Sequence, residues 1–159
     1  MLPIYESANI DASWGVGAAA LDLTDGWADN TFLTVVQVNS MLEESFGADG
    51  KMGISKMAGK GGTITLTLKQ TAPLNIEIAR VAAAQMVRGA PVVAAPFKVV
   101  DKTAKSAHFV ALNAVLKSQA DHDFSNTMGE KTWVWVCESF ISTDDEAALT
   151  ASITDWIRA

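Results

Sequence analysis

Residues 47–75 read GADGKMGISKMAGKGGTITLTLKQTAPLN, a turn, a strand pair and a helix start in order. Asp49-Gly50 predicts a hairpin turn of type I′, whose two central residues both take positive φ. The arms extend this hairpin over residues 41–57, where Leu42, Phe46, Met52 and Ile54 mix with Glu43, Glu44, Lys51 and Lys56. Neither face is expected to be cleanly apolar, which suits strands that line a wet surface or reach a neighbouring molecule. Residues 58–62, AGKGG, then lead into TITLTLKQ, residues 63–70. Thr63, Thr65, Thr67 and Lys69 alternate with Ile64, Leu66 and Leu68, the period of two that marks a half-buried strand. Thr71-Ala72-Pro73 opens a helix expected over residues 73–88, with proline in the first turn, where its missing N–H breaks no bond. Leu74, Ile78, Val81, Ala82 and Met86 form its apolar stripe, Glu77, Arg80, Ala84 and Arg88 its outer face, and Gly89 and Pro91 end it.

Outward from this block the chain reads mostly as short strands. Residues 13–16 and 20–23 are apolar stretches broken by glycines, and FLTVVQV, residues 32–38, is a β-branched run of strand length. Residues 96–101 and 108–117 read as strands joined by a basic turn at 102–106. A polar loop, 118–131, precedes TWVWVCESF, residues 132–140, a strand with both faces partly buried. Thr143-Asp144-Asp145-Glu146 is a capping box, and Leu149, Ile153, Trp156 and Ile157 follow at helical spacing, so a short amphipathic helix is expected over 143–158. The class is mainly β with α.

The chain has 159 residues, the size of one domain, and residues 1–159 are read as a single unit with a core of its own. Hydrophobic residues make up 49% and charged residues 19%, below the roughly 25% charged of an average soluble domain. No stretch approaches the roughly 20 apolar residues of a membrane span, and residues 1–10 place no basic residue ahead of an apolar segment, so neither insertion nor a signal peptide is expected. The excess of apolar surface, with mean hydropathy +0.18, is then expected to be buried against copies of the chain or a partner.

Net charge is −6, unevenly distributed. Residues 1–50 carry eight acids and no Lys or Arg, whereas residues 51–130 carry ten Lys/Arg against five acids. Such a split suits an acidic surface meeting the basic surface of a neighbour, although two solvated faces would read the same way. Sequence-reading contact with DNA is disfavoured by this acidity, because phosphate attraction supplies most non-specific affinity.

No constellation in the chain amounts to an active site. Cys137 is the only cysteine, and with His108 and His122 it falls short of the four ligands of a structural zinc site. GISKMAGKG, residues 53–61, has five residues where a phosphate loop has four before its Gly-Lys pair, lacks the following Ser/Thr, and leads to a strand. Asp121-His122-Asp123 lies in a polar loop with no marked nucleophile. Cys137 sits in an apolar strand as a small hydrophobe. Trp133 and Trp135 share a strand face and read as core or interface before base-stacking platforms. Glu43 and Glu44 point to opposite faces of their strand and cannot act as an acid/base couple. No catalytic residue, metal or cofactor is expected.

The block at 47–75 resembles the central segment of phage tail tube proteins, the inner-tube subunits of long tails, related to the tubes of contractile injection systems. There a Gly-Asp-Gly turn, a mixed strand, a Gly-rich turn, a Thr/Leu strand and Gln-Thr, a small residue, Pro and Asn follow one another. With Ser13-Trp14-Gly15 and residues 133–140 as flanks, the resemblance covers about residues 10–142. Ala72 and Leu74 stand where the family often has serines, which leaves Thr71 as the expected helix cap. The resemblance implies a tail-tube-like β-sandwich or barrel with one flanking helix, the C-terminal helix being an addition. Six subunits would form a ring, and rings would stack into a hollow tube assembled in the host cytoplasm and carried in the virion tail. Its partners would be further copies of itself, the tape-measure protein, DNA passing without sequence-specific binding, baseplate and tail terminator proteins and, in a contractile tail, a sheath protein; no membrane is involved. Within that picture Glu43 or Glu44 supplies part of a negative lumen lining that repels phosphates. Gly47, Asp49, Gly50, Lys51, Lys56 and Lys60, in the 47–62 segment, reach an adjacent ring or subunit.

Two alternatives stand beside this reading. One is a tube, hub or spike subunit of another contractile injection or secretion system, since fold does not determine assembly context. The other is a small β-barrel that binds an apolar ligand among its methionines and tryptophans.

Overall fold

The computed structural model describes residues 10–15, 20–28, 31–101, 108–143 and 154. In chain order the elements are β1 (Ile10–Trp14), β2 (Leu21–Asp22), β3 (Leu33–Gln37), β4 (Leu42–Phe46), β5 (Met52–Lys56), β6 (Gly62–Lys69), α1 (Leu74–Met86), β7 (Ala94–Asp101), β8 (His108–Ser118), β9 (Glu130–Cys137) and β10 (Ser139–Thr143). All named strand pairs are antiparallel. The main sheet runs β2-β1-β7-β8-β9-β6-β3, with β10 also on β8, while among the described residues β4 and β5 pair only with each other.

Among the described residues the main sheet curls on itself without closing, with β2 and β3 at the two ends of its strand order. Two strands stand between β1 and β9 in the sheet order, so a flat sheet would hold those strands about 14 Å apart. Yet the rings of Trp14 on β1 and Trp135 on β9 meet edge-on at 5.7 Å, and Phe97 on β7 meets Trp135 at 5.4 Å. These rings fill the interior. The alternation expected of residues 63–70 is realised in full: Ile64, Leu66 and Leu68 are buried, and the threonines between them are half-exposed. Leu74, Ile78 and Ala82 of α1 join the same core. The segment after β2 crosses to the far end of β6, where Ala28 N–H donates to the Thr67 carbonyl at 3.2 Å, and Trp27 stacks flat on Phe32 at 4.2 Å.

Several elements differ from the sequence reading. The first strand starts at Ile10, because Ile10, Ala12 and Trp14 all turn inward; residue 16 and the basic turn at 102–106 lie outside the described residues. The run at 132–140 is not one strand but breaks at Glu138 into β9 and β10. Opposite that break Asn113 takes φ 52 and donates from Nδ2 to Glu138 Oε2 at 2.7 Å, so β8 kinks where its partner changes direction. Thr71 does not cap α1; its hydroxyl lies 3.4 Å from Met128 Sδ, and Pro73 holds the cap position without a side-chain bond. Met86 leaves the expected apolar stripe and is exposed in the last turn. The helix expected over 143–158 does not begin at Thr143, which ends β10; residues 144–153 and 155–158 lie outside the described residues, and Thr154 is helical.

Gly62 has a packing role. A Cβ there would stand 2.6 Å from the Phe140 ring and 3.1 Å from the Val36 carbonyl, so only glycine lets β3, β6 and β10 meet.

Candidate assembly surface

Strands β3 and β6 form one end of a long ribbon whose other end is the β4–β5 hairpin. Gln37 pairs with Gly62, Val38 N–H donates to the Gly61 carbonyl at 3.1 Å, and Met57 N–H reaches the Met41 carbonyl at 2.9 Å. The hairpin therefore continues beyond the core, and every residue of β4 and β5 is exposed. The turn is a three-residue loop instead of type I′. Gly50 alone takes positive φ, 76°, while Gly47 N–H closes on the Lys51 carbonyl at 2.9 Å and Asp49 Oδ1 accepts from Lys51 N–H at 3.1 Å.

Register sorts the hairpin side chains more cleanly than composition suggested. Leu42 faces Lys56, Glu44 faces Ile54, and Phe46 faces Met52, so all four large apolar residues share one face with one acid and one base. Glu43, Ser45, Gly53 and Ser55 occupy the other face, which is polar and small. Neither face is cleanly apolar, as expected, since Glu44 and Lys56 share the first, but the large apolar side chains are gathered on one side. Phe46 is 69% exposed on this apolar face, and a two-stranded hairpin is marginal in water unless such a face is covered. The arrangement offers a docking blade and no chemistry.

The candidate residues fall into three places. Glu43 and Glu44 lie on opposite faces of β4, across from Ser55 and Ile54 respectively, and are not brought together. Gly47, Asp49, Gly50 and Lys51 form the tip, with Lys56 at the far end of β5. Lys60 is at the base, where its carbonyl accepts from Phe140 N–H at 3.2 Å. Trp133 and Trp135 are core residues, so base stacking on them is excluded. Cys137 is buried too; its thiol donates to the Gly62 carbonyl at 3.4 Å, and burial raises its pKa, leaving it an inert thiol.

Sequence reasoning passed over a second exposed apolar group, at the opposite end of β6. Lys69 pairs with Glu130 there, and the loop at 119–129 presents Phe124 and Met128 to solvent. An aromatic and a methionine inside an otherwise polar DHDFSNTMG run were the available signal.

The family model described as the bacteriophage PhiTE tail tube protein matches residues 3–142. The chain belongs to that tail tube family. As a tail tube protein it is a structural component of the virion tail, and not an enzyme. No curated protein sequence matches the chain. Among solved structures, a chain of the sheath/tube terminator of an extracellular contractile injection system, PVC, in its extended state shares 13% identity and a TM-score of 0.59, covering 90% of this chain and 96% of that one. A chain of the anti-feeding prophage tube terminating cap gives 10% identity, TM-score 0.53, and coverage of 90% and 92%. A chain of the PVC sheath-tube complex in its extended state gives 14%, 0.52, and 86% and 88%. At these identities the likeness concerns the fold, which this tail tube protein shares with them along nearly its whole described length.

Proposed function

We propose that six copies of this tail tube protein form a ring, and that rings stack into the hollow conduit that carries genome and tape-measure protein during assembly and ejection. One observation carries the reading: a hairpin that stands clear of its own core with four large apolar side chains on one face. A second copy is the natural cover for such a face, as obligate interfaces resemble divided cores. Among the described residues β2 and β3 end the sheet order, and neighbouring sheets join there around the lumen, so that no edge is left open.

With its apolar face packed on the assembly, the hairpin turns its polar face to the channel. Glu43 then contributes to a negative lining that lets phosphates slide past, and Glu44 lies within the contact. The tip, Gly47, Asp49, Gly50 and Lys51, reaches the adjacent ring together with Lys56, and Lys60 supports the base. Baseplate, terminator and, in a contractile tail, sheath are its further partners, with assembly in the host cytoplasm. Two of the fold relatives belong to terminator or cap structures, which makes an end-of-tube position in an injection machine the second reading. Negative-stain electron microscopy of the concentrated protein, with light scattering on the same sample, separates the two. Long hollow tubes are expected; single closed rings that never stack favour the terminating role, and a strict monomer counts against both.

A further inference from the structure

We propose that the C-terminal segment, residues 144–158, folds back over the outer face of β8 and β10 as a clasp, with its apolar stripe on Val110 and Ile141. The clasp is independent of the tube reading.

Val110 is buried on the wrong side of its strand. Phe109 and Ala111, before and after it on β8, belong to the core, so Val110 points out of the sheet, opposite Lys98 of β7 and Ile141 of β10. An outward side chain is expected to be wet, yet Val110 is only 8% exposed while standing apart from the core cluster. His108, the next outward residue, behaves the same way: its Nδ1 is screened from solvent and has no hydrogen-bond partner among the described residues. Both are shielded within a single chain, so the cover belongs to this chain. The described elements lie elsewhere. Helix α1 packs into the core on the inner side, β4 and β5 are exposed throughout, and the 119–129 loop follows the opposite end of β8.

A row across the sheet shows where the cover lies. At the level of Val110 the outward residues are Lys98 on β7, exposed, Val110 on β8, buried, and Ile141 on β10, half-buried. Shielding is therefore centred on β8 and β10 and fades toward β7. Residues 1–9 join the sheet at Ile10 of β1, on the far side of β7. Residues 102–107, KTAKSA, bring no large apolar side chain. The C-terminal segment leaves from β10 itself, at Thr143, whose register partner is His108. As a helix, residues 144–158 span about 22 Å, several times the roughly 7 Å along β8 from His108 to Val110.

The segment has the face this site requires. Leu149, Ile153, Trp156 and Ile157 follow the Thr143–Glu146 capping box at helical spacing. Thr154, which falls off that stripe, is helical and exposed. The tail tube family model ends at residue 142, so the clasp is an addition to the part of the chain the family shares. It buries apolar sheet surface inside one subunit and withdraws that face from contact with neighbours.

The test uses full-length Val110→Cys, with Cys137 as an internal control because it is buried. Thiol labelling under native conditions is read by peptide mass mapping. The thiol at 110 is expected to label slowly, and at least about tenfold faster once Leu149→Asp and Ile153→Asp are added, while Cys137 stays unlabelled. A rate unchanged by the two aspartates overturns the clasp. Leu2→Asp with Ile4→Asp, in place of those two, is expected to leave the rate as it was; a rise there makes residues 1–9 the cover and overturns the assignment. A second measurement leaves Val110 in place. Lys98→Cys, at an exposed position beside Val110, carries a bimane label that a nearby tryptophan quenches. Leu149→Trp is expected to dim this label relative to Leu149→Phe, and equal brightness overturns the placement of the segment over β8.

Discussion

Trp133 donates its indole N–H to Oδ1 of Asn75 across 2.9 Å, tying the middle of the sheet to the first turn of α1. The same Asn75 donates from Nδ2 to the Lys69 carbonyl at 2.8 Å, where β6 ends, and lies 3.4 Å from that of Gln70. Both residues are buried, so water cannot replace these bonds. A helix whose cap position holds proline and no side-chain cap is secured instead by an asparagine in its first turn.

Removing that hub strands a buried donor. Asn75→Ala is expected to lower the stability of the unassembled subunit by about 1–3 kcal/mol, since it orphans the Trp133 N–H, while the Lys69 carbonyl keeps the Ala72 N–H at 3.0 Å. Asn75→Asp keeps the acceptor and loses the donor, and its loss is expected to be smaller if it stays close to the indole. Urea unfolding followed by tryptophan fluorescence reads both. An Asn75→Ala midpoint equal to the parent would show the network to be dispensable.

Asn113 sits in left-handed backbone at φ 52 in the interior of β8, a conformation that costs most residues about 1–2 kcal/mol. Glycine there is expected to be near neutral, trading relief of that strain against the lost bond to Glu138. Alanine keeps the strain and loses the bond, so Asn113→Ala is expected to unfold at clearly lower denaturant than Asn113→Gly. Equal midpoints would mean that β8 straightens without the asparagine.

The strand at 63–70 was legible because alternation is a local signal, and each of its apolar residues is buried in the core. The split of residues 132–140 was not, because it depends on Asn113, more than twenty residues away, and on a bulge that no local pattern announces. The hairpin faces could be sorted only once the register was known. Leu42, Phe46, Met52 and Ile54 are all even-numbered, and the pairing of Phe46 with Met52 puts even residues on one side. Thr71 was expected to cap α1 on local grounds, yet its hydroxyl turns to Met128, which the fold brings from 57 residues away. Phe124 went unnoticed because an isolated aromatic in a polar loop becomes informative only when the loop is seen to be clamped by Gln70 with the ring outside.

Cys137 reports on the integrity of the sheet. Burial raises its folded-state pKa above the ordinary value of 9.0, and backbone hydrogen bonding from Gly62 and Cys137 offsets this only in part. Below pH 9 the thiol is protonated in both states and contributes no pH dependence. Above it the unfolded thiol ionises first, the unfolded state holds fewer protons, and stability falls as pH rises towards the folded pKa. That fall is expected to disappear in Cys137→Ala. In the native protein at pH 8 the thiol is expected to resist a disulfide reagent that labels it fully in denaturant. Labelling at equal rates in both states would show that β9 opens at the Gly62 contact.

The hairpin separates assembly from folding, because none of its strand residues is buried in the subunit. Phe46→Ser and Ile54→Ser are expected to change subunit stability by less than about 0.5 kcal/mol, the usual size for exposed positions. The same substitutions remove apolar area from a contact repeated at every subunit, so polymer formation is expected to be lost or to need at least about tenfold higher concentration. Glu43→Ser, on the polar face, tests the other side of the blade: tubes are expected to form normally, with the change confined to the charge of the channel. Sedimentation of polymer against concentration, with urea unfolding of each variant, distinguishes the outcomes. If Phe46→Ser assembles like the parent while Glu43→Ser does not, the polar face makes the contact, and the hairpin lies in the wall the other way round.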